Sequence, residues 1–169
     1  AVKGSANDYA SIFRLVDAAN ATAASYTAAL ESLIDAEQWM RFFAYEHIVG
    51  QWDSLGYNTG SNVYPYKGKD GRWTLLPWDV DISFVADGPT TDLFTAADPT
   101  LARMNSHPPF RRAYWRALKD AVEGPLLDAN VGPVAAARHA ALRANGLNVT
   151  PPADATSYIR QRRAYIVSQ

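Results

Sequence analysis

Apolar positions fall at helical spacing towards both ends of the chain and in short extended runs near its middle. Residues 9–19 carry Ile12, Phe13, Leu15 and Val16, which predict a helix with a buried stripe. Residues 26–33 predict a second, weaker helix. The third pattern is the clearest. Asp35 stands where an N-cap is needed, Gln38 follows three residues on as its reciprocal partner, and Ile34 can staple against Trp39. Met40, Phe42, Phe43, Ile48 and Val49 then form a broad apolar surface that Gly50 brings to a stop. A loop over residues 51–62 leads to two extended runs, 63–67 and 72–76, joined by the hairpin turn text Gly68-Lys69-Asp70-Gly71. Pro65 inside the first run predicts an edge strand or a bulge.

Residues 86–98 contain Asp-Gly-Pro and Asp-Pro breaks and predict a long loop. Helical spacing returns over residues 110–122 and is interrupted by Glu123-Gly124-Pro125. A further helix is expected over 133–144, ending at Asn145-Gly146. After Pro151-Pro152, Asp154 or Thr156 can start a last helix that runs to the C-terminus. The expected fold class is α+β, mostly α, with one small hairpin in its middle.

Composition narrows this picture. The 169 residues suit one domain, and 48% apolar with 20% charged residues can bury a proper core. A net charge of −1 supplies no field for drawing in nucleic acid or an anionic membrane. The absence of cysteine excludes disulfides, thiol catalysis and Cys-based zinc sites. No apolar run approaches the roughly 20 residues that span a bilayer. The opening Ala1-Val2-Lys3-Gly4 has neither an initiator Met nor a signal-peptide pattern, so a processed or excised part of something longer is expected.

Candidate chemistry gathers around the hairpin in Asp53, Asn58, Asn62, Asp79 and Asp81. Carboxylate and amide oxygens are the hard ligands that Mg2+ and Mn2+ prefer, and such a metal bridges phosphate oxygens with one or two carboxylates and an amide. A carboxylate on a separate loop can orient the attacking hydroxyl or take its proton. The order here is helix, loop Asp, loop Asn, strand, turn, strand, Asp, which is the order of a kinase catalytic lobe. Asn62 directly precedes the first strand, while Asn58 keeps the four-residue gap from Asp53, so both compete for the amide role. Asp79 and Asp81 are two apart and would share a face if extended, where a cation would relieve their repulsion.

Other candidates read as structural. His47, His107 and His139 lack paired metal spacing, and His47 is expected in the core. The runs Arg111, Arg112, Arg116 and Arg160, Arg162, Arg163 could hold an acidic group, but are expected to be solvated faces. Trp52, Trp73 and Trp78 flank the acidic site and are expected to pack beneath it. No serine-hydrolase motif, Walker loop or dinucleotide fingerprint occurs.

At these residues the chain resembles the spore coat protein H (CotH) family of kinase-like proteins. The text Asp35-Ala36-Glu37-Gln38-Trp39-Met40-Arg41-Phe42-Phe43-Ala44 is similar to the family's helix. Gly50-Gln51-Trp52-Asp53-Ser54-Leu55-Gly56-Tyr57-Asn58 and Asn62-Val63-Tyr64-Pro65-Tyr66-Lys67 resemble its loop and first strand. Gly71-Arg72-Trp73-Thr74-Leu75-Leu76-Pro77-Trp78-Asp79-Val80-Asp81 resembles its metal-binding end, and the similarity spans roughly residues 35–169. The resemblance implies an atypical protein-kinase-like fold that binds ATP with Mg2+ or Mn2+ and phosphorylates protein, typically coat proteins of spores, at a cell surface or outside the cell. It matches Asp53 to the catalytic-loop Asp and Asp79 to the metal-binding Asp, with Asn58, Asn62 and Asp81 as helpers. It further implies that residues 1–169 are the helical C-terminal lobe of a longer parent, whose N-terminal lobe covers the nucleotide and supplies a phosphate-pairing Lys. Phe84-Val85 stands where the family often has Phe-Gly. The alternative expectation is a non-catalytic interaction module of a coat, surface or extracellular assembly.

Overall fold

The computed structural model describes residues 9–57, 59–84 and 88–169. Helices α1 (Ala10–Ala19), α2 (Tyr26–Glu31) and α3 (Ala36–Val49) lead into strands β1 (Val63–Lys67) and β2 (Trp73–Pro77). Helices α4 (Pro99–Ser106), α5 (Pro108–Glu123), α6 (Asp128–Ala144) and α7 (Ala153–Ser168) follow. The chain is thus mostly helical with a two-stranded antiparallel sheet, as the α+β expectation has it.

Helix α3 is the axis of the core. It buries Trp39, Met40, Phe42, Phe43 and Ile48. Against it α5 turns Phe110, Ala113, Tyr114, Ala117 and Leu118, an apolar stripe at i, i+3, i+4, i+7 and i+8. Met40, Phe43 and Leu118 are fully enclosed, and each such burial contributes roughly 1.5–3 kcal/mol. His47 belongs to this core: its ring nitrogens face the carbonyls of Phe43 at 2.9 Å and Thr95 at 2.7 Å. Burial lowers its pKa, with those two carbonyls opposing the shift.

Asp35 caps α3 by accepting the Gln38 N–H at 3.1 Å. The expected reciprocal half of the capping box does not form. Gln38 reaches β2 instead, donating Nε2 to Leu75 O at 2.7 Å and accepting the Leu75 N–H at 2.9 Å. The strand's outward backbone groups would otherwise lack partners, which makes them the stronger claim on the amide. Trp73 is fastened the same way. Its N–H donates to Leu33 O at 2.7 Å, and its carbonyl accepts from Asp35 N and from Trp39 Nε1. The hairpin is therefore tied to the start of α3. This also explains Pro65, which sits in regular register opposite Leu75 without a bulge. Leu75 turns both backbone groups towards Gln38, so the pair asks no N–H of the proline.

Four expectations need correction. In α1, Ile12, Phe13 and Val16 are exposed. The face turned to the core is Leu15, Ala18 and Ala19, one i, i+3, i+4 set, while Ile12 and Val16 line an apolar groove of about 560 Å3 with Trp39, Leu55 and Met104. Helix α4 was not expected. Asp98, read as part of a break, is its N-cap, accepting the Thr100 and Leu101 N–H groups at 2.8 and 3.1 Å, with Pro99 at the first helical position. Helix α6 begins five residues ahead of Pro133 and has no buried residue. Finally, Arg162 is no solvated residue: it is 1% exposed and donates to the carbonyls of His47, Pro89 and Thr91. With it, Tyr158 and Ile166 complete the face that α7 lays against the core. Among the described residues no helix is long and apolar enough to cross a membrane.

A candidate metal and phosphate site

The site is built from the exit of α3. Gly50 takes the left-handed conformation, φ 65°, and Gln51 N still bonds Glu46 O at 3.0 Å. Only glycine suits Gly50, because a Cβ there would strike the Tyr158 hydroxyl. The chain then loops through Asp53 and is drawn back onto the helix at Gly56, whose N–H donates to Glu46 Oε2 at 2.8 Å. Gly56 lies so close that a Cβ would overlap that carboxyl oxygen and stand 2.7 Å from Phe43 Cδ1. Glu46 is almost wholly buried, and burial pushes its pKa up to about 8 despite the Gly56 hydrogen bond. Burial thus favours the neutral carboxyl as the form that holds the loop.

Asp53 is fixed on three sides. Gln51 Nε2 donates to its Oδ1 at 2.9 Å, and Asn62 Nδ2 donates to its Oδ2 at 2.7 Å. Its carbonyl accepts from Thr59 Oγ1 at 2.7 Å and from Asn62 Nδ2 at 3.1 Å. Asn62 in turn is positioned by backbone geometry. Its φ is 58°, and its carbonyl accepts the Trp78 N–H at 3.0 Å across the end of the hairpin. Of the competing amides, Asn62 is thus beside Asp53, whereas Asn58 lies outside the described residues.

Asp79 follows one residue later with φ 46°, and its carbonyl accepts from Gln51 Nε2 at 2.8 Å. The segment through Asp79 and Asp81 is therefore not extended, and the condition for both carboxylates to share a face is not met. The strand ends at Pro77, and the left-handed turn at Asp79 removes the alternation that would have put both carboxylates on one face. Both residues are exposed, and neither forms an ion pair with a described residue. Among the described residues no group of three His, Cys, Asp or Glu side chains gathers as a metal site. A donor set of Asn62, Asp79 and Asp81 completed by phosphate oxygens has two such residues, so it would not form a group of that kind. Its chemistry, hard oxygens only, fits Mg2+ or Mn2+.

Asn62, Asp79 and Phe84 are the positive-φ residues other than glycine among the described residues. All three lie in this segment. Left-handed backbone in non-glycine residues is strained and tends to collect at functional sites. Phe84, at φ 66°, is held by its N–H on Val49 O at 2.7 Å and by an edge contact with Tyr158, ring centroids 5.6 Å apart. Two of the three flanking tryptophans depart from expectation: Trp52 and Trp78 are exposed, and Trp78 meets the Tyr64 ring edge-on at 5.3 Å, whereas Trp73 is partly buried and packs against the core.

A family model described as CotH kinase protein matches residues 1–166. The chain belongs to the CotH kinase family. The CotH match reaches upstream of the resemblance read from residues 35–169, so α1 and α2 are part of the family's unit too. Membership supports a kinase-like protein and brings the spore coat into view as the family's setting. Comparison with curated proteins gave no match.

The CotH pattern in the sequence drew attention to Asp53, Asn62 and Asp79, but not to Gln51 or Glu46. Gln51 could have been noticed as a long amide two residues before the loop Asp, next to a helix-ending glycine. Nothing in the sequence marks Glu46, because its role depends on Gly56 folding back onto α3.

Proposed function

We propose that this CotH family member carries out metal-dependent phosphoryl transfer from ATP to a protein hydroxyl. The observation that carries the reading is the Asn62 amide, whose nitrogen holds the Asp53 carboxylate at 2.7 Å. The amide oxygen of Asn62 and the carboxylates of Asp79 and Asp81 would supply the hard oxygen ligands of a cation. A bound Mg2+ or Mn2+ would neutralise charge on the ATP phosphates. Asp53, oriented from both sides, would position the acceptor hydroxyl and take up its proton. The acceptor is a protein, with coat or surface proteins the class the family suggests, and a lobe of the parent chain would cover the nucleotide. Transfer of labelled phosphate to protein by the full-length protein tests this. Activity lost in both Asp53→Ala and Asp79→Ala supports the assignment, and activity surviving both would overturn it.

A second reading is a non-catalytic module that keeps the fold as a scaffold. It is favoured by the strained Phe84 followed by Val85 where the family often has Phe-Gly. Absence of any ATP and Mn2+ binding at millimolar ligand would favour it over transfer.

A further inference from the structure

One side chain touches both acidic segments. Gln51 is 1% exposed. Its Nε2 donates to Asp53 Oδ1 at 2.9 Å and to Asp79 O at 2.8 Å. Its Oε1 accepts from Ser83 Oγ at 2.9 Å, and that hydroxyl also contacts Val80 O at 2.8 Å. Among the described residues the two sides are otherwise joined through backbone, Trp78 N–H to Asn62 O at 3.0 Å and Phe84 N–H to Val49 O at 2.7 Å. Asp53 lies on the loop after α3, Asp79 and Ser83 lie beyond β2, and the segments are separated by the whole hairpin. Asn62 fixes Asp53 to the start of the hairpin, but it makes no side-chain bond to the Asp79 segment. Both donor hydrogens and an acceptor site of a single buried amide are used, so the side chain has one orientation that satisfies all its partners. Reversing it would set oxygen against the Asp53 carboxylate and the Asp79 carbonyl.

We propose that Gln51 is the positioning residue that sets Asp53 relative to Asp79, and so sets the acceptor hydroxyl relative to the metal-bound phosphate. The inference rests on the phosphoryl-transfer reading above. Gln51 does not touch substrate. It acts through two residues that do, and a loss of alignment at this range is costly, since a displacement of about 1 Å in a reacting pair can lower a rate by 100-fold. The Asp79 carbonyl contact carries a second consequence. It holds the residue in its left-handed conformation, φ 46°, which a free chain would leave.

The test uses the full-length protein and compares wild type with Gln51→Glu and Gln51→Leu. The glutamate keeps the size and the acceptor for Ser83 but loses both donors and sets a like charge against Asp53. The leucine removes all three hydrogen bonds without adding charge. Melting temperature, Mn2+ bound in the presence of ATP (counted by electron paramagnetic resonance), kcat and KM for ATP are measured together. The expected result is a loss of kcat of at least tenfold in both variants, with KM for ATP changed less than kcat and most of the protein folded at the assay temperature. The Mn2+ signal should broaden, reporting a spread of metal environments, at undiminished protein concentration. Variants within twofold of wild type in kcat would overturn the inference. So would a loss of kcat that only tracks the unfolded fraction, because that is what a purely structural glutamine would give. A wild-type protein that neither transfers phosphate nor retains Mn2+ with ATP overturns the functional reading itself, and the role of Gln51 with it.

Discussion

Asn62 Nδ2 stands 2.7 Å from Asp53 Oδ2, and Asn62 holds this position with a left-handed backbone, φ 58°. Two properties of one residue are combined there: an amide that reaches Asp53 and tolerance of a conformation other side chains resist. They can be separated by substitution. Asn62→Gly keeps the backbone and loses the amide. It should lower the affinity for Mn2+ with ATP at least tenfold while changing the urea midpoint little. Asn62→Ala loses both and should also destabilise, by about 1–2 kcal/mol for the backbone alone. Equal binding by the glycine variant and wild type would remove the amide from the site.

Glu46 predicts a pH dependence with a definite sign. Its pKa is raised by folding from 4.5 to about 8, so the native state keeps a proton that the unfolded chain has released in that window. The contribution to stability is full below the ordinary carboxyl range and is lost as pH rises towards 8, by up to about 1.4 kcal/mol per pH unit. Glu46→Gln keeps an oxygen for the Gly56 N–H and has no proton to lose. Urea denaturation from pH 5 to pH 8.5 should show the variant gaining on wild type as pH rises. Parallel curves would contradict the buried, proton-bearing carboxyl.

Gly56→Ala should destabilise by about 1–3 kcal/mol, because its methyl group meets the Glu46 carboxyl oxygen and Phe43 in a filled space. The loop that carries Asp53 would have to lift from α3, so phosphoryl transfer should fall further than stability alone accounts for. Chemical denaturation and kcat measured on the same preparation distinguish the two effects.

Arg162 is a buried cation whose partners are carbonyls of His47, Pro89 and Thr91, and no carboxylate forms an ion pair with it among the described residues. Arg162→Ala leaves these carbonyls unpaired and a void in the core. A loss of about 3–5 kcal/mol is expected by thermal or urea unfolding. A loss below about 1 kcal/mol would mean the guanidinium is not part of the core.

Much of the scaffold was legible in the sequence, for local reasons. The α3 cap, its glycine stop and the hairpin turn depend on neighbouring residues, and the structure has Asp35 on Gln38 N, Gly50 at φ 65° and β1 paired with β2. Features that depend on distant partners were not legible. Gln38 serves β2 and not its own cap because of a strand 37 residues away. Arg162 is buried because loop carbonyls converge on it, although its neighbours Arg160 and Arg163 made the stretch look solvated. Within the site, the order Asp53, Asn62, Asp79 could be read from spacing, but the turn at Asp79 and the bridging by Gln51 arise only once three segments meet.

In the proposed mechanism Asn62 and Asp79 hold metal on ATP while Asp53 works on the acceptor hydroxyl. Mn2+ binding in the presence of ATP, measured by calorimetry on full-length wild type, Asp79→Ala and Asp53→Ala, tests it most directly. Asp79→Ala should lose the metal-dependent binding, whereas Asp53→Ala should bind within a few-fold of wild type yet transfer no phosphate. Equal binding by Asp79→Ala and wild type, or no binding by wild type at millimolar ligand, would contradict it.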